Sequence, residues 1–263
     1  MWYTPVDPPQ GARHLLACSW IAHPSGTHLL TPDGCTDLLH LSSGRLIYCG
    51  PEVRSWPFSL SEGTTAVGVR FQPGAAHAVF GLDLHSVFDQ RVPFSRIVSD
   101  ETACLWEAAL CQVESLPERR DLLVDLVAAH RPDATLPDAA TQVVSTLTAN
   151  PFATTAQLAA ATGLHPRTLQ RRSLQWFGYG TATLGRIIRF HRFLAIVSMT
   201  PGPLSMASAA AEAGYFDQPH LARDCRAITG MSPSRFLIDH FPTFPDMSDP
   251  YKTGGLPTVM LDR

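Results

Sequence analysis

LSMASAAAEAGYFDQPHLARDCRAITGMSPSRFL, residues 204–237, begins as an alanine-rich amphipathic run that ends at Gly214. A three-residue turn follows (Gly214, Tyr215, Phe216), and Asp217 then stands where a helix N-cap is wanted, with Pro219 in the first turn. The second helix carries Leu221, Cys225 and Ile228 on one face, at spacings of four and three. It stops at Gly230, and Ser232-Pro233 opens another. Helix, glycine turn, helix is the grammar of a DNA-reading helix-turn-helix. Ala209, Ala210 and Ala213 let the pair approach closely, leaving the other face of the second helix free. That face holds Gln218, Ala222 and Arg223, with His220 and Arg226 nearby. Gln and Arg pair bidentately with adenine and guanine edges, although a merely solvated polar face has the same appearance.

The pattern recurs in TTAQLAAATGLHPRTLQRRSLQWFG, residues 154–178. Thr154 and Gln157 predict a capping box, the first helix ends at Gly163, and His165-Pro166 opens a second with Leu169, Ser173 and Trp176 inward. Arg167, Gln170 and Arg171 fall at i, i+3 and i+4 and project together. Two such units in tandem are a far more specific signal than one. Between them TATLGRIIRFHRFLAIVSM, residues 181–199, predicts one helix apolar nearly all round and roughly 27 Å long. Such a helix can hold two recognition helices about one DNA turn, roughly 34 Å, apart. Arg186, Arg189 and Arg192 line it, either for phosphate contact or for internal pairing and solubility; Arg186, Arg189 and Arg226 are the candidate phosphate ligands.

Residues 137–240 resemble the DNA-binding domain of AraC/XylS-type transcription regulators, through AGYFDQPHLARDCRAITGMSP and through LHPRTLQRR followed by GYG and RIIRFHRFL. The resemblance implies base contacts from Arg167, Gln170 and Arg171 in the first reader and from Gln218, His220, Ala222 and Arg223 in the second. It also implies double-stranded DNA as partner, and RNA polymerase if the protein activates. Two departures stand out. The family usually buries a Phe where Ser173 and Cys225 stand here, so repacking by Leu174 or Trp176 is expected. Thr181-Ala182 replace a usual Pro-Lys, which removes one phosphate contact.

The remaining sequence fits a regulator with a separate partner domain. Residues 1–136 carry 9 Arg against 15 acidic residues, a net of −6, while residues 137–240 carry 9 Arg against 5, a net of +4. Strands are expected at 14–21, 36–41, 45–49 and 64–71, separated by Pro/Gly/Ser turns. TPDGCTDLLHL and VGVRFQPGAAHAVFGLDLHSVFD resemble a cupin-like N-terminal domain, implying a small β-barrel with an effector pocket. Trp20, Trp56, Phe58 and Arg70 are either its lining or ordinary barrel core. Helical runs at 100–114 and 118–130 serve either dimerisation or packing on their own barrel. The expected fold is therefore α+β and multidomain: a β-barrel-like domain with two trailing helices (1–130), a linker (131–137), an all-α tandem helix-turn-helix domain (138–240) and an irregular tail (241–263).

No HxH pair appears among the histidines, and HExxH, GxSxG and GxxxxGK[ST] are missing, so neither a metal or other cofactor nor catalysis is expected. The six cysteines form no CxxC pair, and prolines and Asp7 interrupt MWYTPVDPPQGAR where a signal peptide needs an apolar core. With no run of about 18 apolar residues, the expectation is a cytoplasmic protein with reduced thiols and no membrane contact. The rival from another class is a small-molecule-binding β-barrel, or a degenerate cupin-type metal enzyme, whose helical half has lost DNA binding.

Overall fold

The computed structural model describes residues 2–199 and 205–240; the 241–263 tail lies outside them. The N-terminal half contains β1 (Tyr3–Val6), β2 (Leu16–Ala22), β3 (Thr27–Leu30), β4 (Thr36–Leu41), β5 (Leu46–Cys49), β6 (Trp56–Ser59), β7 (Ala66–Phe71), α1 (Ala75–Phe80), β8 (Arg91–Pro93), α2 (Asp100–Cys111) and α3 (Leu116–His130). The C-terminal half contains α4 (Asp138–Ala149), α5 (Thr155–Thr162), α6 (Pro166–Phe177), α7 (Thr181–Met199), α8 (Met206–Glu212), α9 (Gln218–Thr229) and α10 (Pro233–His240).

Six strands form an antiparallel sheet in the order β1-β2-β7-β4-β5-β8, and β3 and β6 pair as a separate two-stranded ribbon. Period-two alternation divides the sheet into two apolar faces. Leu38, Leu46, Tyr48, Val67, Val69 and Phe71 join α2 and α3 residues in one core. Trp20, Leu39, Cys49 and Ala66 face the ribbon on the other side. The sequence LACSWIA shows no clean alternation because β2 carries a bulge between Leu16 and Cys18, which moves the following residues to the opposite face. Gly68 in β7 fits beneath the Trp20 indole: a Cβ there would stand 2.3 Å from its ring, so only glycine lets that indole lie across the strand.

The helices after the sheet are largely used on their own domain. Trp106 and Leu110 of α2 and Leu123, Val124 and Val127 of α3 are buried in the sheet's core, while Leu105 remains 63% exposed. The short stretch between α3 and α4 also docks there. Ala134 is buried, its carbonyl accepts from His14 Nε2 at 3.2 Å, and Arg131 Nη1 donates to Ala78 O at 3.0 Å. Of the eight strands among the described residues, β1, β3, β6 and β8 fall outside the four expected, and so does helix α1.

The two halves are packed on each other. His191 Nε2, buried in the middle of α7, donates to Pro32 O at 2.5 Å, and His85 Nδ1 donates to Gly178 O at 2.9 Å. The Ser55 amide donates to Ile228 O at 2.7 Å. Gly178 ends α6 at φ +80, and a Cβ there would sit 2.2 Å from the Pro51 ring. Positive φ and the close approach of Pro51 both require glycine at this junction.

Candidate nucleic-acid interface and ligand pocket

The first reader is built from its caps. Thr154 Oγ1 accepts from the Gln157 amide at 3.3 Å, and Gln157 Oε1 accepts from the Thr154 amide at 2.8 Å, closing the expected capping box at the start of α5. After the turn at Gly163, His165 Nδ1 accepts from the Arg167 amide at 3.3 Å and starts α6. Leu169, Ser173, Trp176 and Phe177 are buried, and Arg167, Gln170, Arg171 and Arg172 are exposed. Ser173 Oγ donates to Leu169 O at 2.8 Å, which satisfies its hydroxyl inside the core. Trp176 and Phe177 supply aromatic volume in that core, and Leu174 is only half-buried.

The second reader follows the same plan. Ser205 Oγ caps α8 by accepting from the Ser208 amide at 3.0 Å, and Ala209, Ala210 and Ala213 are buried against α9 and α7. Asp217 Oδ1 accepts from the His220 amide at 2.7 Å and caps α9. Leu221, Cys225 and Ile228 point inward, where Phe190, Phe193, Tyr215 and Phe236 surround them. Gln218, Arg223 and Arg226 are exposed, the two arginines one turn apart on one face.

One expected contact is corrected by this packing, and a second candidate, His220, is only partly drawn inward, its side chain 26% exposed. Arg189 does not face solvent: it is 8% exposed, and its Nη2 and Nε donate to Asp224 Oδ2 at 2.7 and 3.3 Å. Its Nη1 donates to Pro151 O at 3.2 Å, and its guanidinium lies over the Phe152 and Tyr215 rings at 4.5 and 5.2 Å. A guanidinium so engaged cannot reach a phosphate; it clamps α7 and α9 to the loop between α4 and α5. His220 turns partly inward. Its ring meets Tyr215 edge-on at 5.2 Å and Phe152 at 5.8 Å, with Nε2 4.0 Å from Asp224. Arg186 is half-buried, while Arg226 remains exposed.

A second site lies between the sheet and the ribbon, a cleft of about 740 Å³ including its mouth and the solvent open to it. Trp2, Tyr3, Trp20, Trp56 and Phe58 form aromatic walls, and Asp33, Asp37, Glu52 and Arg70 supply its ionisable groups. Arg70 Nη1 donates to Asp33 Oδ2 at 3.0 Å, and its Nε donates to Asp37 at 3.2 and 3.3 Å. Trp20 Nε1 donates to Asp37 Oδ1 at 2.9 Å. Burial raises the Asp37 carboxyl even beside Arg70. Burial also pushes Glu52 up to about 8, outweighing its contact with Arg91. The Cys35 and Cys49 thiols on the lining are raised by burial too, so they are held protonated and inert.

A family model for the helix-turn-helix domain matches residues 158–238, covering α6 to α9 together with most of α5 and α10. This is an AraC-type helix-turn-helix domain. The chain that carries it is a DNA-binding transcription regulator. A second family model, a domain of unknown function (DUF6597), matches residues 5–93, the cupin-like sheet domain in front of the AraC-type helices. No curated protein matches the chain. Among solved structures the chain is similar to ToxT from Vibrio cholerae, at 10% identity and a TM-score of 0.45 over 90% of this chain and 98% of that one. ToxT bound to a methylnaphthalenyl butenoic acid aligns at 11% identity and 0.45, over 90% and 99%. The unsaturated fatty acid-bound form aligns at 10% and 0.42, over 84% and 95%.

The AraC-type domain brings Arg167, Gln170 and Arg171 together on α6, and Gln218, Arg223 and Arg226 on α9. Trp20, Trp56, Phe58 and Arg70 all line the cleft. Sequence reading missed Trp2, Asp33, Asp37 and Glu52 as lining residues. The only available signal was TPDGCTD, whose two aspartates four apart flank a turn. Their meeting with Arg70 depends on β4 and β7 being neighbours, with Asp37 opposite Arg70 in register. Among the described residues no group of His, Cys, Asp or Glu is arranged to hold a metal ion, and no helix is long and apolar enough to cross a membrane.

Proposed function

We propose that the protein is an effector-responsive, non-catalytic regulator that reads two successive major-groove segments of one operator. The observation carrying this reading is the pair of exposed Arg/Gln faces on α6 and α9, buttressed through α7 by the Arg189–Asp224 clamp. Arg167, Gln170, Arg171, Gln218 and Arg223 contact base edges, and Arg226 contacts phosphate. RNA polymerase is a further partner if the protein activates, and its place of action is the cytoplasm. With most of α2 and α3 packed on their own sheet, a homodimer through them would rest on what stays exposed, chiefly Leu105.

Effector response has a short physical route. Thr31, Pro32 and Asp33 line the cleft, and the Pro32 carbonyl is the acceptor for His191 on α7. A ligand that shifts this loop changes a contact made by the helix joining the two readers, which biases their relative placement.

The test is competition binding on a site selected from random DNA. Arg171→Ala and Arg223→Ala should each lose about 1–3 kcal/mol on the selected site and much less on random DNA. Equal losses on both would remove the base-reading assignment.

A further inference from the structure

Resting on the cleft being an effector pocket, we propose that its ligand is an organic cation, a protonated or quaternary amine carried on an apolar body. The cleft is richer in acidic than in basic groups. Its lining holds three carboxyl groups, Asp33, Asp37 and Glu52, the last held protonated at neutral pH by burial that raises it to about 8, and one guanidinium, Arg70. Arg70 is buried with Nη1 on Asp33 and Nε on Asp37, and one cation shared between two acids offers little to an incoming anion. Glu52 has an 11% exposed side chain, and its cationic neighbour is Arg91, which does not line the cleft.

The walls suit the same ligand. Trp2, Tyr3, Trp20, Trp56 and Phe58 present ring faces and edges, with Trp56 and Phe58 edge-on at 5.7 Å and Trp2 and Phe58 at 6.0 Å. Ring faces attract desolvated cations, and aromatic enclosures are a recurring solution for ammonium groups. The chain demonstrates this chemistry itself: the Arg91 guanidinium lies 3.8 Å from the Trp56 ring centre while contacting Glu52. An ammonium between Glu52 and the indoles would repeat that arrangement, with the apolar body against Leu30, Leu39 and Phe58. A bound cation stabilises the ionised form of Glu52, so its affinity rises as pH increases through about 8.

The experiment compares 4-phenylbutylamine, 4-phenylbutyrate and 4-phenylbutanol, which share one body and differ in charge, on the full-length protein. Tryptophan fluorescence reports binding, and affinity for a selected DNA site is measured in parallel. The amine should bind at least about tenfold more tightly than the acid or the alcohol, the scale of a desolvated cation–π contact. Glu52→Gln should remove most of that preference together with its rise at alkaline pH. Trp56→Leu, at a half-exposed position, serves as a second variant and should also weaken amine binding. If the acid or the alcohol binds as well as the amine, the cation assignment is overturned while a ligand pocket remains. Failure of all three to bind at millimolar concentration also overturns it. Amine binding that leaves DNA affinity unchanged supports the cation site and defeats the effector reading instead.

Discussion

Arg189 is the side chain whose loss should reveal how the two readers are held. It is buried with Asp224, it bonds the Pro151 carbonyl, and it stacks on Phe152 and Tyr215. Arg189→Met removes the charge and keeps most of the stem, leaving Asp224 (9% exposed) buried without its guanidinium partner. Breaking one side of a buried ion pair costs about 3–5 kcal/mol. The low end is expected here because the Asp224 side chain keeps 12% of its surface exposed. At about 2–4 °C per kcal/mol for a chain of this size, a loss of about 3 kcal/mol lowers Tm by roughly 6–12 °C. Replacing both partners by apolar side chains, Arg189→Met with Asp224→Leu, should recover much of the loss, because no uncompensated charge then remains. DNA binding measured well below the melting transition should weaken more on a two-segment site than on either segment alone, since the clamp sets the relative position of the readers. Thermal melting of the two single variants and the double variant forms the cycle. The clamp is refuted if Arg189→Met melts within about 1 °C of the parent and the cycle is additive within about 0.5 kcal/mol.

Other consequences follow from particular contacts. Gly178→Ala places a Cβ against Pro51 at positive φ and should loosen the junction between the halves; overpacking of this kind costs about 1–3 kcal/mol, and protease cleavage between α3 and α4 should accelerate. His40 is pushed down to about 4 by burial and by the Arg119 charge. Its contribution to stability is therefore present above its ordinary 6.5 and is lost as pH falls toward 4, and His40→Leu should flatten the acid limb of denaturant midpoint against pH. Glu52 has the opposite sign: raised from 4.5 to about 8, its contribution is full below 4.5 and declines as pH rises through 8, a decline that Glu52→Gln should remove. Arg226→Ala, if its role is phosphate contact, should lower the slope of log affinity against log salt by about 1 while leaving sequence preference unchanged.

The helical half was legible because its signals are local. Capping at Thr154, His165 and Asp217, stops at Gly163 and Gly230, and inward spacings of four and three each act within a turn or two of the chain. The element bounds accordingly follow them closely. What sequence could not resolve was which arginine of α7 turns inward. Arg186, Arg189 and Arg192 look alike along the chain, and only the approach of Asp224, 35 residues further on, draws Arg189 into the core. The sheet half was legible where strands are long and bounded by Pro-Gly turns, as at β4 and β7. The short edge strand β1, the ribbon strands β3 and β6, and β8 carry three or four residues each and are defined by pairing rather than by pattern. The cleft depends on the register between β4 and β7 and on the ribbon folding over the sheet, and neither leaves a local trace.

The most direct test of the account is spacing on DNA. Sites selected from a random pool should contain two conserved segments centred about 10 bp apart, on one face of the duplex. Inserting about 5 bp between them rotates one segment to the far side and should reduce binding to that of a single segment, because the clamped readers cannot follow. Full affinity retained after that half-turn insertion, or selected sites holding only one conserved segment, would contradict two rigidly joined readers.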